Sequence, residues 1–320
     1  MEQNKKMAVG GFLKSQALLL VGIIIFIIFG LLQHSFFTTA NVVNIFRQIA
    51  VIAIMGAGMT YAIIGGNFDL SVGSLLSLCG SVVIVTTNQV GQVGAVLITI
   101  LVGCLSGVLC GYLCGYLHLN SMVATLGMMN VLQALTLMYT KGQFVSLDNS
   151  DLPIVGLGQG NVGIVPVSVI IMAIFCIVFA VILKRTVFGH HVKAVGTNPE
   201  TCRYSGINDN KIVMLTFVIS GFSTAIAAIL LAMRGAGAQP TMGLGYEFDV
   251  ITAVILGGAD LNGGEGSIYR TFVGALIIGI MKTGFVILGM SVYYQYVAEC
   301  IIILLAVYMD IRASRKGVKK

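Results

Sequence analysis

Apolar runs of close to twenty residues recur along the whole chain, and no long stretch has the composition of a soluble domain. An α-helix needs ~20 predominantly apolar residues to cross the ~30 Å hydrocarbon core of a bilayer. Only 9% of the 320 residues are charged and 57% are hydrophobic, so polar side chains are too few to cover a soluble globule. The sequence therefore predicts an integral membrane protein.

The predicted fold class is an all-α, polytopic transmembrane bundle of about ten helices, with residues 1–320 forming a single domain. The runs lack the ~10-residue alternating segments of an outer-membrane barrel. The predicted helices cover residues 17–33, 47–64, 70–87, 94–117, 122–139, 166–183, 212–232, 247–262, 271–289 and 292–309. The eighth has about 15 residues, which span only ~22 Å at ~1.5 Å per residue. We expect it to be a half-helix or a re-entrant segment.

The distribution of basic residues indicates the orientation, because Lys and Arg are enriched in cytoplasmic loops. With the N-terminus inside, fourteen lie inside, three lie outside (Arg47, Lys141 and Arg234), and Lys282 falls within a helix. The fourteen are Lys5, Lys6, Lys14, Lys184, Arg185, Lys193, Arg203, Lys211, Arg270, Arg312, Arg315, Lys316, Lys319 and Lys320. We therefore expect both termini in the cytoplasm, with tails at 1–16 and 312–320 and a cytoplasmic loop at 184–211.

Several enzyme signatures are missing from the sequence. The dipeptide Gly-Lys never occurs, so the chain has no Walker A loop to hold ATP phosphates. It also has no G-x-S-x-G elbow. The seven cysteines form no C-x-x-C pair and the four histidines are scattered, so we expect no metal site. These absences argue against an enzyme.

Two apolar segments are interrupted by a glycine pair with an aspartate shortly after it. Residues 63–76 read IIGGNFDLSVGSLL, and residues 255–267 read ILGGADLNGGEGS. Such breaks are typical of the moving or ligand-lining parts of transporters, whereas the aspartates are also suited to capping the next helix. The candidate pathway or hinge residues are Gly65, Gly66, Asn67, Asp69, Ser71, Gly257, Gly258 and Asp260.

The fourth predicted helix carries glycines at every fourth position: Gly103, Gly107, Gly111 and Gly115. They lie nearly on one face, which allows another helix to approach closely. Packing within the chain and a subunit interface both remain open.

The 184–211 loop contains a short helix signal of its own. Asn198 is a good N-cap, Pro199 suits the first helical position, Glu200 complements the helix dipole and Gly206 ends the turn. We expect a short helix exposed on the cytoplasmic face.

This short helix lies within the run NPETCRYSGIN, which resembles the coupling helix by which permease subunits of ATP-binding cassette importers dock on their ATPases. Other runs extend the resemblance: GGNFDLSVGS, NSMVATLGMM, SGFSTAIAAILLAMR and AQPTMGLGYEFDVITAVILGGADLNGGEGS. Together they are similar to the permeases of ribose-type monosaccharide importers, a group related to branched-chain amino acid permeases. The resemblance covers residues 17–312.

The resemblance implies a multi-pass permease of the bacterial cytoplasmic (inner) membrane that carries ribose or a similar sugar. It implies a homodimer or a pair with a close paralogue, a cytoplasmic ATP-binding subunit and an extracytoplasmic sugar-binding protein. No cofactor belongs to this chain, since ATP and magnesium would bind the partner ATPase, and no nucleic acid is involved. The docking residues carried over are Asn198, Pro199, Glu200, Arg203, Ser205 and Gly206.

Other cargoes remain open at this stage, namely a branched-chain amino acid, a nucleoside or a signalling furanose. A gradient-driven secondary transporter is a further alternative. In such a transporter, the coupling residue would be Asp69, Glu247, Asp249 or Lys282. That alternative explains the buried charges but leaves the NPETCRYSGIN helix without a role.

Overall fold

The computed structural model describes residues 18–291, 293–295, 297, 300, 301 and 304. The predicted tails at 1–16 and 312–320 lie outside the described residues, as does most of the predicted tenth helix at 292–309. The helices are α1 (Leu18–Leu32), α2 (Thr39–Ile64), α3 (Val72–Val90), α4 (Gln92–Gly115), α5 (Ser121–Thr140), α6 (Gly156–Gln159), α7 (Val167–Arg185), α8 (Val187–Thr197), α9 (Pro199–Tyr204), α10 (Asp209–Gly235), α11 (Tyr246–Leu256) and α12 (Ile268–Ile287). Two 3-10 turns cover His34–Phe37 and Pro153–Val155.

Seven of these helices are long and apolar enough to cross a bilayer: α2, α3, α4, α5, α7, α10 and α12. The prediction of an all-α polytopic membrane protein is confirmed. α2 begins at Thr39, ahead of the predicted start at residue 47. The guanidinium of Arg47 explains the difference, because it donates hydrogen bonds to the Gln159 carbonyl at 2.8 Å and to Asn161 Oδ1 at 2.9 Å. These contacts allow a basic residue within the helix.

The core is built around α2 and α10. α10 packs against α2, α3 and α4, and α2 also packs against α7, α11 and α12. α2 is continuously buried from Ile49 to Ile64. By contrast, α4, α5 and α7 bury a third or less of their apolar windows, so their outer faces suit contact with lipid or another subunit.

The connections between helices gather at two ends of the bundle. At one, which we call the hairpin end, β1 (Val145–Ser146) pairs with β4 (Gly237–Ala238). β2 (Asn161–Val162) pairs there with β3 (Val165–Pro166). The other, which we call the basic end, holds α8, α9 and the two glycine-broken segments at 65–71 and 257–267. The predicted orientation places the basic end in the cytoplasm.

α11 is too short to cross a membrane by itself. Its 11 residues extend only ~16 Å, about half of a ~30 Å core. The predicted helix at 247–262 therefore ends early, at Leu256, where Gly257 and Gly258 begin an irregular segment. α11 packs against α12 and α2 and forms a half-helix within the bundle.

Candidate functional site

The two glycine-broken segments meet at the basic end, although about 190 residues of sequence separate them. The backbone amide of Gly264 donates a hydrogen bond of 2.8 Å to the carbonyl of Ile64. A Cβ atom at Gly263 would lie 3.0 Å from the Cα of Gly66, so the two backbones are in direct contact. Their repeated glycine motifs therefore allow close backbone packing.

The last turns of α8 pack onto both segments. A Cβ atom at Gly196 would overlap the Ile64 carbonyl and the Gly264 amide. The side chain of Thr197 lies against Gly264. A displacement of α8 would consequently press on the end of α2 and on the second segment together. The sequence predicted one helix in this loop, whereas the structure has two, with the additional helix α8 making these contacts.

α9 has the local geometry that the sequence predicts. The Asn198 side chain accepts a hydrogen bond of 3.0 Å from the Thr201 amide, and Pro199 occupies the first helical position. Ser205 Oγ donates to the Thr201 carbonyl at 2.9 Å, and Gly206 turns the chain with φ of +78°. Each local signal acts within a few residues, which is why the sequence alone was sufficient.

One face of α9, together with the residues that flank the helix, is exposed and contains all six predicted docking residues. The exposed residues are Asn198, Pro199, Glu200, Thr201, Arg203, Tyr204, Ser205 and Gly206. Buried Cys202 holds the opposite face against the bundle. Sequence reasoning missed Tyr204, which is 90% exposed. So short a helix has no hydrophobic period that would have predicted which way Tyr204 points.

Arg203 is partly engaged within the chain. Its Nε lies 2.9 and 2.8 Å from the two carboxylate oxygens of Asp209, and its Nη2 lies 2.7 Å from Oδ2. These hydrogen bonds raise the pKa of the Arg203 guanidinium above its ordinary value. Because the Arg203 side chain remains 51% exposed, it both ties α9 to the first residue of α10 and faces solvent.

A cavity of about 330 Å³ separates α9 from the first glycine-broken segment. Asn67, Pro199, Arg203, Asn210 and Asn262 contribute to its walls. Both polar and apolar atoms line this space, so α9 and the segment are not in close contact at this point. It leaves room for α9 to move relative to the bundle.

Asp69 connects the first glycine-broken segment to α10. Its Oδ1 accepts hydrogen bonds from the amide of Ser71 at 3.1 Å and from the Ser71 hydroxyl at 2.6 Å. Its Oδ2 accepts from Ser220 Oγ at 2.8 Å, and only 2% of the residue is exposed. α3 begins at Val72 with Ser71 as its N-cap, so Asp69 holds the turn before the helix rather than capping its first residues.

Asp260 does not cap the following helix, and that expectation is wrong. Its Oδ1 accepts from the Asn262 amide at 2.8 Å and from Asn262 Nδ2 at 3.1 Å. α12 begins only at Ile268, because Gly263 and Gly264 extend the irregular segment with φ of +93° and +87°. The carboxylate therefore stabilises a local turn.

The glycine face of α4 packs against α10 of the same chain. Cβ atoms at Gly103, Gly107, Gly111 and Gly115 would overlap the Gly221, Phe217, Met214 and Asn210 region of α10 in turn. The backbones of the two helices are thus in contact over about three helical turns. Since α10 covers this face, it is not free to form a subunit interface.

A second charged cluster surrounds the first turn of α11. Lys282 Nζ forms an ion pair with Asp249, whose side chain is fully buried. The ammonium also lies 5.5 Å from the centroid of the Tyr246 ring. Glu247, the neighbouring acid, is 5% exposed and lies against the backbone of Gly73 in α3. These side chains bring α3, α11 and α12 together at a polar point inside the bundle.

Comparisons with known proteins give full-length similarities. The family model described as "Branched-chain amino acid transport system / permease component" matches residues 41–307. The ribose import permease protein RbsC of Haemophilus influenzae is 37% identical over 312 residues, which cover 96% of each chain. Its Escherichia coli K12 namesake is 38% identical over 303 residues, covering 93% of this chain and 94% of the relative.

A third relative is also a ribose import permease. The RbsC protein of Bacillus subtilis is 36% identical over 292 residues, covering 91% of each chain. No solved structure matches.

Proposed function

Because this chain belongs to the family of branched-chain amino acid transport system permease components, we propose that it forms the translocation pathway of an ATP-binding cassette importer for ribose or a closely similar monosaccharide. The observation that carries the proposal is its similarity to three ribose import permeases, each covering more than 90% of both chains. The chain is a multi-pass protein of the bacterial inner membrane.

The proposed assembly contains a second copy of this chain or a close paralogue. A cytoplasmic ATP-binding subunit supplies the energy, and ATP and magnesium bind to that partner. An extracytoplasmic binding protein delivers the sugar to the hairpin end, where residues 143–161 and 234–238 form the docking surface. As a permease component, this chain is not itself the ATPase.

The proposed coupling path begins at the exposed face of α9. Asn198, Pro199, Glu200, Ser205 and Gly206 enter a groove of the ATPase, and the exposed part of Arg203 adds charge contacts. ATP-driven closure of the two ATPases then moves α8 and α9. The packing of Gly196 against Ile64 and Gly264 supports this step, because it joins the loop to both glycine-broken segments. The resulting tilt switches the pathway between inward-facing and outward-facing states.

Selectivity for the sugar is expected to reside mainly in the binding protein. The chain contains no tryptophan, and a pathway must bind its cargo weakly enough to release it. The chain therefore offers no tryptophan platform that would identify its cargo. An uptake experiment is needed to distinguish ribose from branched-chain amino acids, nucleosides and furanose signals.

The test is mild detergent purification of the tagged protein from its own membranes, followed by mass spectrometry and reconstitution. We expect an ATPase subunit and an exported binding protein to co-purify, and we expect ATP-dependent uptake of radiolabelled ribose. Uptake driven by a proton or sodium gradient in the absence of an ATPase would contradict the proposal. ATP-driven uptake of leucine or adenosine but not ribose would contradict the sugar assignment alone.

The face of α9 that docks on the ATPase is tested by the variants Glu200→Arg and Gly206→Asp. We expect each variant to insert normally but to lose the ATPase during purification. Asn120→Ala is the matched control, because Asn120 caps α5 by accepting from Met122 and Val123 and lies outside α9. Full ATP-coupled uptake by the Glu200 and Gly206 variants would rule out this surface.

A further inference from the structure

The segment that leads into α11 descends deep into the bundle without forming a helix. It leaves β4 at the hairpin end and then follows α3, where the Gly243 amide donates to Ser77 Oγ at 2.9 Å. Ser77 lies about 13 residues, or ~20 Å along the helix axis, from the hairpin end of α3 at Val90. Residues 239–245 are thus irregular backbone at membrane depth.

Irregular backbone at this depth is stable only where protein or water satisfies its polar groups, and it does not face lipid. Four side chains, three in this segment and one in the first turn of α11, are nevertheless exposed on the surface of the chain. Leu244 is 49% exposed and Phe248 is 53% exposed, and the polar residues Gln239 and Thr241 are exposed as well. This face is therefore covered by something other than lipid.

The same region contains buried oxygen atoms that lack donors. Glu247 Oε1 accepts a long hydrogen bond of 3.3 Å from the Gly245 amide, but Oε2 has no hydrogen-bond partner among the described residues. Gln133 Nε2 donates to the Pro240 carbonyl at 3.1 Å, and Gln133 Oε1 is without a partner in the same part of the chain. An unsatisfied buried acceptor destabilises the fold, and more so when it is charged. Such atoms suit a ligand that brings hydroxyl donors.

We infer that the face formed by Gln239, Thr241, Leu244 and Phe248 lines the water-filled translocation pathway, and that Glu247 and Gln133 accept hydrogen bonds from hydroxyl groups of the passing sugar. The second half of this inference rests on the proposed function. A sugar is neutral and rich in O–H donors, so it supplies charge-assisted bonds to the carboxylate without competing for the Asp249–Lys282 pair. That pair and the Tyr246 ring keep the first turn of α11 in position.

The pathway face is tested by cysteine accessibility. Thr241→Cys and Phe248→Cys are made separately, and a positively charged, membrane-impermeant methanethiosulfonate is added to inverted and to right-side-out vesicles. Mass spectrometry then quantifies labelling at each position, so the seven native cysteines do not interfere. Leu101→Cys on α4 is the control, because Leu101 is 58% exposed on an apolar surface.

We expect the Thr241→Cys and Phe248→Cys variants to be labelled at least tenfold faster than the Leu101→Cys variant from one side of the membrane. Labelling as slow as that of the control from both sides would overturn the assignment of this face to water. This readout depends on no particular sugar and therefore stands independently of the cargo.

The sugar contact is tested by Glu247→Gln in the complete reconstituted importer. We expect ATP-driven uptake of radiolabelled ribose to fall at least tenfold, while ATP hydrolysis stimulated by the loaded binding protein stays within twofold of wild type. Glu247→Asp, which keeps the carboxylate, should recover part of the uptake. Uptake within twofold of wild type in Glu247→Gln would overturn the contact.

Two further results separate the inference from its alternatives. A parallel loss of uptake, ATP hydrolysis and thermal stability in Glu247→Gln would assign the carboxylate to packing and overturn the contact. If the unmodified importer transports no ribose, the proposed function fails and the sugar contact fails with it, whereas the labelling experiment still decides the pathway face.

Discussion

The carbonyl oxygen of Ile64 accepts a hydrogen bond from the Gly264 amide and lies directly against Gly196 of α8. Three segments from distant parts of the sequence therefore share one backbone oxygen. α2 ends at this residue, the second glycine-broken segment is attached to it, and the 184–211 loop rests on both. The packing at this oxygen determines how movement of the loop reaches the membrane-embedded helices.

Gly196→Ala should weaken coupling. The added Cβ would overlap the Ile64 carbonyl, and overpacking of this kind costs ~1–3 kcal/mol. We expect normal insertion, retention of the ATPase and at least a tenfold loss of ATP-driven uptake in proteoliposomes. Gly235→Ala is the control, since a Cβ there meets no atom within 4 Å. Equal uptake by the two variants would show that the contact is not needed for coupling.

Gly107→Ala should destabilise the fold. Its Cβ would overlap the Phe217 carbonyl of α10, so the two helices must separate or bend. The expected penalty is ~1–3 kcal/mol, measured as a lower melting temperature in detergent. Gly127→Ala on α5 is the control, because it makes the same substitution where the added Cβ meets no atom within 4 Å. It should leave the melting temperature unchanged or raise it, since Ala has the higher helix propensity. Identical melting curves would contradict the packing of α4 on α10.

Asp69→Asn should preserve folding yet reduce uptake. The amide has the same shape, its oxygen can accept from Ser71, and its nitrogen can donate to the Ser220 hydroxyl. The bonds lose their ionic character, however, and charge-assisted bonds are about twice as strong as neutral ones. We expect wild-type expression and at least a fivefold decrease in uptake. Unchanged transport would limit Asp69 to holding the local turn.

Lys282→Met should unfold or severely destabilise the chain. It removes the cation from fully buried Asp249, and breaking a buried pair costs ~3–5 kcal/mol. The double variant Asp249→Leu with Lys282→Met removes both charges and should recover most of the lost melting temperature. If the single variant melts like wild type, the ion pair does not stabilise α11 against α12.

Local signals in the sequence were sufficient for α9, because the Asn198 cap, Pro199 and Gly206 act within a few residues of one another. The membrane spans were predictable from the length of their apolar runs. The contact between Gly263 and Gly66 was not, since it depends on how helices pack rather than on either motif. The descent of residues 239–245 was missed because a polar, glycine-rich run reads as a surface loop.

The contact between α4 and α10 also constrains how the protein is made. Roughly 100 residues separate the two contacting surfaces, and ribosomes add ~5–20 residues per second. The glycine face of α4 therefore enters the bilayer ~5–20 s before α10, the helix that covers it. During biosynthesis the nascent chain must therefore keep this glycine face away from other membrane segments until α10 is inserted.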